Sequence, residues 1–186
     1  MYCFKEWQII CEALRDGKQS LILRKGGIHE GSGGFSFANI SEFVLFPTRF
    51  HAQSDLVNLS GEFTPGKEWE VGDEVVFDTL CKVVATYELT DWEKVEAISD
   101  LHLWSEDCIK DRFDWEGKGM VSGKIHLALI RAYKLSEPAK VDYAKRLGGC
   151  RSWVELEEIT VPSGLTPVIG DADFSELQKK LFNALS

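Results

Sequence analysis

The chain has 186 residues, of which 44% are hydrophobic and 27% charged, proportions typical of a single globular domain that can bury a core. Its formal net charge of −9 argues against broad binding to duplex DNA, which depends on many Lys and Arg contacts to phosphate. No apolar run approaches the roughly 20 residues that span a bilayer, and the first residues lack the core of a signal peptide. We therefore expect a cytoplasmic protein that does not bind membranes.

The first third of the chain predicts one helix and two strands. Apolar residues recur at helical spacing up to a turn at 16–17, and they are Phe4, Trp7, Cys11 and Leu14. Residues 20–23 and 42–46 are short apolar runs typical of strands, and Pro47 is expected to end the second one.

The middle of the chain predicts a polar segment over 55–69, with a turn at Pro65-Gly66. A second turn at 71–73 leads into strands over 74–77 and 80–89. Thr90 and Glu93 have the spacing of a capping box, which predicts a helix through residue 98.

The last part of the chain predicts a helix over 104–113 and a central strand over 124–135, ended by Pro138. A strand follows at 152–156. We expect one α+β domain over 1–159, a linker over 160–171, and an amphipathic helix over 172–186. Because the linker is short, we expect this helix to pack on its own domain rather than on a partner chain.

The five cysteines predict neither a metal site nor a redox motif. They are scattered and form no Cys-x-x-Cys pair, so we expect reduced, buried thiols, no metal and no cofactor. Cys150 differs from the others because it follows Gly148-Gly149 and precedes Arg151, and a neighbouring cation lowers the pKa of a thiol.

Three segments place cationic or aromatic residues beside glycine or proline at predicted strand boundaries: LRKGGIHEG at 23–31, FPTRFH at 46–51 and GGCRSW at 148–153. A ligand can approach bare backbone at such places, so we predict that the three segments line one cleft. The candidate ligand-binding residues are Arg24, Lys25, His29, Thr48, Arg49, His51, Trp104, Arg151 and Trp153.

The candidates divide by chemistry. Arg24 and Lys25 follow a strand and suit a phosphate or carboxylate, although solvated cations on a tight turn remain an alternative. Trp104 stands at the start of a predicted helix and suits base stacking, although core packing is the common role of such a residue. His51 and Glu30 are weak candidates for acid–base catalysis.

Four segments resemble a family of uncharacterised bacterial domains of unknown function. They are EALRDGKQSLILRKGGIHEG at 12–31, FVLFPTRFHAQ at 43–53, HLWSEDCIKDRFDW at 102–115 and GGCRSWVEL at 148–156. Membership of such a family implies no reaction.

The order of the predicted elements also resembles the small β-barrels of the PUA and ASCH group. The Leu135-Ser136-Glu137-Pro138 turn and the Gly148-Gly149 to Trp153 segment stand where that group has a Leu-x-x-Pro type turn and a final strand with Gly and Trp. The resemblance implies a twisted antiparallel, partly closed, barrel-like sheet with flanking helices. It also implies RNA or a modified nucleotide as the ligand, in a cleft beside the barrel.

We therefore expect a ligand-recognition domain for a small anionic, nucleotide-like or RNA-derived ligand, with short single-stranded RNA as a possible partner, rather than an enzyme. The first alternative is a metal-dependent hydrolase or nuclease that uses His29, Glu30 and His51. The second is a protein-interaction module. The sequence predicts no oligomeric state.

Overall fold

The computed structural model describes residues 1–25, 37, 40–49, 54–58, 63–64, 66–149, 151–161 and 164–186, which contain both helices and strands. In chain order the elements are β1 (Tyr2–Trp7), α1 (Gln8–Arg15), β2 (Leu21–Arg24), β3 (Glu42–Thr48), β4 (Glu74–Leu89), α2 (Trp92–Glu96), α3 (Glu106–Phe113), β5 (Ile125–Asp142), β6 (Trp153–Glu155), β7 (Thr166–Pro167) and α4 (Asp171–Leu185). None of these helices combines the length and apolarity that a membrane crossing requires.

The strands form one sheet in the order β2-β5-β4-β3-β1-β6, and β7 pairs with β5. β1 and β3 run parallel, and the remaining pairs are antiparallel. Within the described chain, β2 and β6 stand at the two ends of this path, so the sheet is open. The predicted α+β fold with a mainly antiparallel sheet is confirmed, whereas the parallel pair was not predicted.

The predicted first helix is wrong over its first turn, because residues 2–7 form β1. Cys3 lies in one buried cluster and Phe4 in another, which is the alternation of a strand whose successive side chains point to opposite faces. α1 begins at Gln8 and keeps Cys11 and Leu14 on its buried side. Phe4 and Trp7 matched helical spacing, but pairing with β3, about 40 residues away, decides their conformation.

The long β4–β5 hairpin corrects two further boundaries. The two strands predicted over 74–77 and 80–89 are a single strand, and β5 continues past Pro138 to Asp142. The pairing shifts where Phe77 faces Ala139 and Thr79 faces Lys134, so residues 135–138 have no partner on β4. Pro138 is tolerated because it lies in this irregular stretch, where no ladder hydrogen bond needs its missing N–H.

Two buried clusters lie on opposite faces of the sheet. One contains Phe4, Phe43 and residues of α1, α3 and α4. The other contains Val44, Phe46 and residues from the segments after β5 and β6. α3 is capped by the Ser105 hydroxyl, which accepts a hydrogen bond from the Cys108 N–H, while α2 is capped by Asp91 rather than by Thr90.

The C-terminal helix packs on its own chain. Phe174 and Leu181 of α4 are buried in the first cluster, and Asp171 forms an ion pair with Arg131 of β5. Within the segment predicted as a linker, β7 pairs with β5 and the Val168 N–H donates to the Ala132 carbonyl. The helix is therefore joined to the sheet through hydrogen-bonded backbone.

Candidate functional site

A cavity of about 570 Å³ lies where the ends of β1, β2 and β3 meet two later segments of the chain. β1 and β3 are parallel, so their carboxyl ends reach the same edge of the sheet. The lining residues are Lys5, Glu6, Trp7, Arg24, Lys25, Phe46, Thr48, Arg49, Glu68, Trp69, Tyr143, Leu147, Gly148, Gly149 and Arg151.

The structure brings residues of all three predicted segments to this cavity, namely Arg24, Lys25, Thr48, Arg49 and Arg151. The other candidates lie elsewhere or cannot be placed. Trp153 packs against Phe4 and Phe43 in the first buried cluster and does not line the cavity. His29, Glu30, His51 and Cys150 lie outside the described residues.

Trp104 is a core residue, with 1% of its surface exposed. Arg112 of α3 lies between two indoles, with its Cζ 4.9 Å from the Trp104 ring centroid and 4.7 Å from that of Trp7. The Arg112 Nη1 also donates to the Leu23 carbonyl at 2.7 Å. Burial lowers the pKa of Arg112. Trp104 is therefore packed inside the protein against Arg112, as the core-packing alternative expects, and no face of its ring is open to a ligand.

Charge in the cavity is opposite to that of the whole chain. The described lining residues include five cations, Lys5, Arg24, Lys25, Arg49 and Arg151, against the carboxylates Glu6 and Glu68. The chain as a whole carries −9. The described lining thus has an excess of positive charge, and a concave surface with an excess of one sign of charge concentrates the electric field.

Arg24 is held by a buried carboxylate. The Glu6 side chain is fully buried, and its Oε2 lies 3.5 Å from the Arg24 Nη1. Glu6 Oε1 accepts a hydrogen bond from the Trp7 N–H at 2.8 Å. Arg24 Nη2 donates to the Ser152 hydroxyl at 2.7 Å, and its guanidinium lies 5.1 Å from the Phe4 ring centroid. These contacts fix the orientation of the Arg24 guanidinium group at the cavity wall.

Arg49 is held by an aromatic face instead. Its Cζ lies 3.6 Å from the Trp69 ring centroid, and its Nη1 donates to the Lys67 carbonyl at 3.0 Å. The Trp69 and Tyr143 rings are nearly parallel, at 21°, with centroids 6.3 Å apart. The Trp69 indole N–H donates to the Pro47 carbonyl at 2.8 Å, which fastens the ring to the end of β3. Burial lowers the pKa of Arg49.

Lys5 joins the third segment to the sheet. It is 9% exposed, and its Nζ donates to the Leu147 carbonyl at 3.0 Å and the Gly149 carbonyl at 2.7 Å. Arg151, two residues beyond Gly149, donates to the Arg146 carbonyl at 2.6 Å and remains exposed. A buried lysine on β1 thus brings an exposed arginine to the cavity.

Sequence reasoning missed Lys5, Glu6, Trp7, Trp69 and Tyr143 at this site. The charged pair Lys5-Glu6 inside an apolar run was one available signal, because a charge buried in a strand requires a partner. A lone tryptophan at the end of the polar segment 55–69 was another.

Other chemistry is limited among the residues that the structure describes. They contain no group of three or more His, Cys, Asp and Glu that would hold a metal ion. Cys3, Cys11, Cys81 and Cys108 are free and buried, and burial raises their pKa values, which keeps these thiols protonated.

None of the curated proteins is a match for this sequence. Among solved structures, the chain is similar to the crystal structure of ASCH from Zymomonas mobilis, with 13% identity, a TM-score of 0.40, and coverage of 96% of this chain and 93% of that one. A point mutant of the same protein matches with 12% identity, a TM-score of 0.40, and coverage of 96% and 94%.

A family model matches residues 3–180, nearly the whole chain. The predicted resemblance to a family without an assigned function is thereby confirmed. The chain belongs to the family described as a domain of unknown function, DUF1802.

Proposed function

We propose that this domain recognises a small anionic ligand with a planar ring, of the nucleotide class, in the cavity at the ends of β1, β2 and β3. One observation carries the proposal: cations from separate segments of the chain and the Trp69–Tyr143 ring pair line the same cavity. A nucleotide combines the two properties that such a lining recognises, a phosphate and a flat aromatic base.

The phosphate is assigned to the side of the cavity formed by Arg24, Lys25 and Arg151. Arg24 is partly exposed and already oriented by Glu6 and Ser152, so it binds without much loss of side-chain freedom. Lys25 and Arg151 are exposed, and they add charge that salt can screen.

The base is assigned to the part of the cavity formed by Trp69 and Tyr143, with Phe46 beside them. Both rings are partly exposed, and the Phe46 ring lies 6.5 Å from that of Tyr143. The Trp69 indole is held in place by its own hydrogen bond, and Arg49 covers one of its faces. The base is therefore assigned to the part of the ring pair that Arg49 leaves exposed, where stacking accepts several bases.

The size of the cavity favours a small ligand over a duplex. Its volume of about 570 Å³ lies within the range of roughly 300–1,000 Å³ that accommodates small molecules. The net charge of −9 opposes the long phosphate contacts that a duplex requires. A mononucleotide, or one nucleotide of a short single strand, fits both facts.

The proposal is tested by calorimetric titration of the full chain with adenosine 5′-monophosphate, adenosine, inorganic phosphate and a short single-stranded RNA, at low and high salt. We expect the nucleotide to bind more tightly than adenosine or phosphate alone, and salt to weaken that binding. The RNA titration separates a free nucleotide from a nucleotide within a strand. Absence of saturable binding by all four probes at low salt contradicts the proposal.

A charge-matched pair of double variants locates the site. Lys25→Gln with Arg151→Gln removes two exposed cations of the cavity and should weaken nucleotide binding by roughly fivefold to tenfold. Lys118→Gln with Lys180→Gln removes two exposed cations outside the cavity lining and should leave the affinity unchanged. Equal loss in both pairs would mean that the attraction is non-specific.

The same titrations separate binding from catalysis. Chromatography of the probes after incubation should recover them intact. Cleavage that disappears in both His51→Ala and Glu30→Gln would replace the proposal with the hydrolase or nuclease alternative.

A further inference from the structure

Arg49 is packed between an indole and a glycine. On one side its guanidinium carbon lies 3.6 Å from the Trp69 ring centroid. On the other side is Gly66, where an added Cβ would lie 2.6 Å from the Arg49 Nε and 2.8 Å from its Cζ. Real Cβ contacts are almost never shorter than 3.0 Å. The guanidinium therefore occupies the space that any side chain at position 66 would take.

Gly66 is needed for space rather than for its backbone conformation. It is absent from the glycines with left-handed φ, such as Gly72 and Gly149, so alanine is compatible with its backbone. The sequence predicted only a turn at Pro65-Gly66, and a turn alone does not explain a glycine with an ordinary φ.

The surroundings of Gly66 are anchored at several points. The Gly66 N–H donates to the Gln8 Oε1 at 3.1 Å, which ties the segment to α1. The Lys67 carbonyl accepts from Arg49, and the Trp69 indole donates to Pro47 of β3. Because the backbone from Gly66 to Trp69 is held in this way, a methyl group at position 66 displaces the flexible Arg49 side chain before it displaces the chain itself.

Arg49 and Trp69 also contribute to the linings of two cavities. They line the cavity described above and a neighbouring one of about 200 Å³ that contains Glu12, Arg15 and Asp78. The orientation of Arg49 therefore sets the shape and the charge of the wall that a ligand would meet.

We propose that Gly66 is a positioning residue, which keeps the Arg49 guanidinium flat against Trp69 and thereby presets the cavity for its anionic ligand. The ligand part of this inference rests on the proposed function, whereas the positioning part does not. Gly66 touches no ligand and acts through Arg49.

A double-mutant cycle with Gly66→Ala, Arg49→Ala and the double variant tests the inference. With adenosine 5′-monophosphate as the probe, Gly66→Ala should weaken binding roughly threefold to tenfold, the size expected from disturbing one partly exposed cation–π contact. In the Arg49→Ala background, Gly66→Ala should cause no further loss, because the space is then empty. An unchanged affinity in the single variant, or the same loss in both backgrounds, overturns the inference.

Gly170→Ala is the matched control. An added Cβ at Gly170 meets its nearest atom, the Asp173 Oδ2, at an ordinary 3.6 Å, and this glycine lies outside the cavity. It should bind the nucleotide like the unsubstituted chain. If Gly66→Ala fails to fold, restored folding in the double variant supports the inference, and continued failure opposes it.

A second measurement separates this inference from the proposed function. In the ligand-free protein, the NMR signal of the Trp69 indole N–H, assigned with Trp69→Phe, should move in Gly66→Ala but not when the same change is made in Arg49→Ala. If the unsubstituted chain binds no nucleotide, the proposed function fails, while this signal still decides whether Gly66 positions Arg49. An unmoved signal in Gly66→Ala overturns the positioning role.

Discussion

Arg24 and Arg49 line the same cavity but are held there by different forces. Arg24 faces the fully buried Glu6 carboxylate at 3.5 Å, and its own side chain is 22% exposed. Arg49 has no described salt bridge, and it lies against Trp69, a glycine and a carbonyl. One side of the cavity is thus organised by a buried charge and the other by an aromatic surface.

The two sides of the cavity should differ in how much stability they lose on substitution. A buried charge is costly to leave unpaired, so the Arg24 side depends on all of its members being present. A contact between a cation and an aromatic ring is weaker, and its interaction energy decreases gradually as the two side chains move apart. Substitutions should therefore affect stability more on the Arg24 side than on the Arg49 side.

The largest expected effect follows from Glu6→Gln. The variant keeps the shape of the side chain but replaces the charge-assisted contact with Arg24 by a contact to a neutral amide, so we expect the free energy of unfolding to fall by about 2–3 kcal/mol. Urea denaturation measures it. Glu68→Gln removes an exposed carboxylate from the same cavity and should change stability by less than about 0.5 kcal/mol. Equal effects of the two substitutions would remove the difference between the two sides.

The next largest effect concerns pH. His102 contacts the Trp104 ring near Arg112, and burial, helped by the Arg112 charge, lowers its pKa from 6.5 to about 4. Between pH 4 and pH 6.5, His102 is protonated in the unfolded chain but neutral in the folded protein. The free energy of unfolding is therefore highest above pH 6.5 and decreases as the pH falls toward 4. The decrease between pH 7 and pH 5 is about 2 kcal/mol.

Urea denaturation at pH 7 and pH 5 checks this in the unsubstituted chain and in His102→Leu. The substitution should remove most of the difference between the two pH values. A variant that loses as much stability at pH 5 as the unsubstituted chain would show that other groups cause the dependence.

Trp69→Leu tests the aromatic side. The leucine loses the cation–π contact with Arg49, the ring contact with Tyr143 and the hydrogen bond to Pro47, so we expect a loss of about 1.5 kcal/mol. Phe182→Leu changes an aromatic residue that is 66% exposed and should alter stability by less than about 0.5 kcal/mol. A loss in Trp69→Leu greater than that in Glu6→Gln would reverse the comparison.

The smallest effect is expected from Arg49→Lys. Lysine keeps the charge but lacks the flat guanidinium, so the unfolding free energy should fall by about 0.5–1 kcal/mol. Arg146→Lys alters an exposed arginine that pairs with Glu158 and should have almost no effect. A larger loss at Arg146 than at Arg49 would contradict the importance of the ring contact.

Much of the fold could be predicted from local patterns. The spacing of β-branched and apolar residues predicted the strands around β2, β3, β4 and the first part of β5, and the Ser105 cap marks the start of α3. These features depend on neighbouring residues, since capping and alternation act over a few positions. The polar segments that meet at the cavity were also visible, because glycine, proline and cations at strand ends form a local pattern.

Contacts between distant residues decided the rest. Residues 2–7 are a strand because they pair with residues 44–48 and 153–155, and no local property of Phe4 or Trp7 requires this. Pro138 lies within β5 because the pairing shifts there. At the site, the sequence alone picked out Arg24 and Arg49 as cations, but only the tertiary structure placed Glu6 beside one and Trp69 and Gly66 beside the other. Burial and close packing arise only when distant segments meet. They determine the free energy needed to place each arginine at the cavity and the contacts that it can offer a ligand.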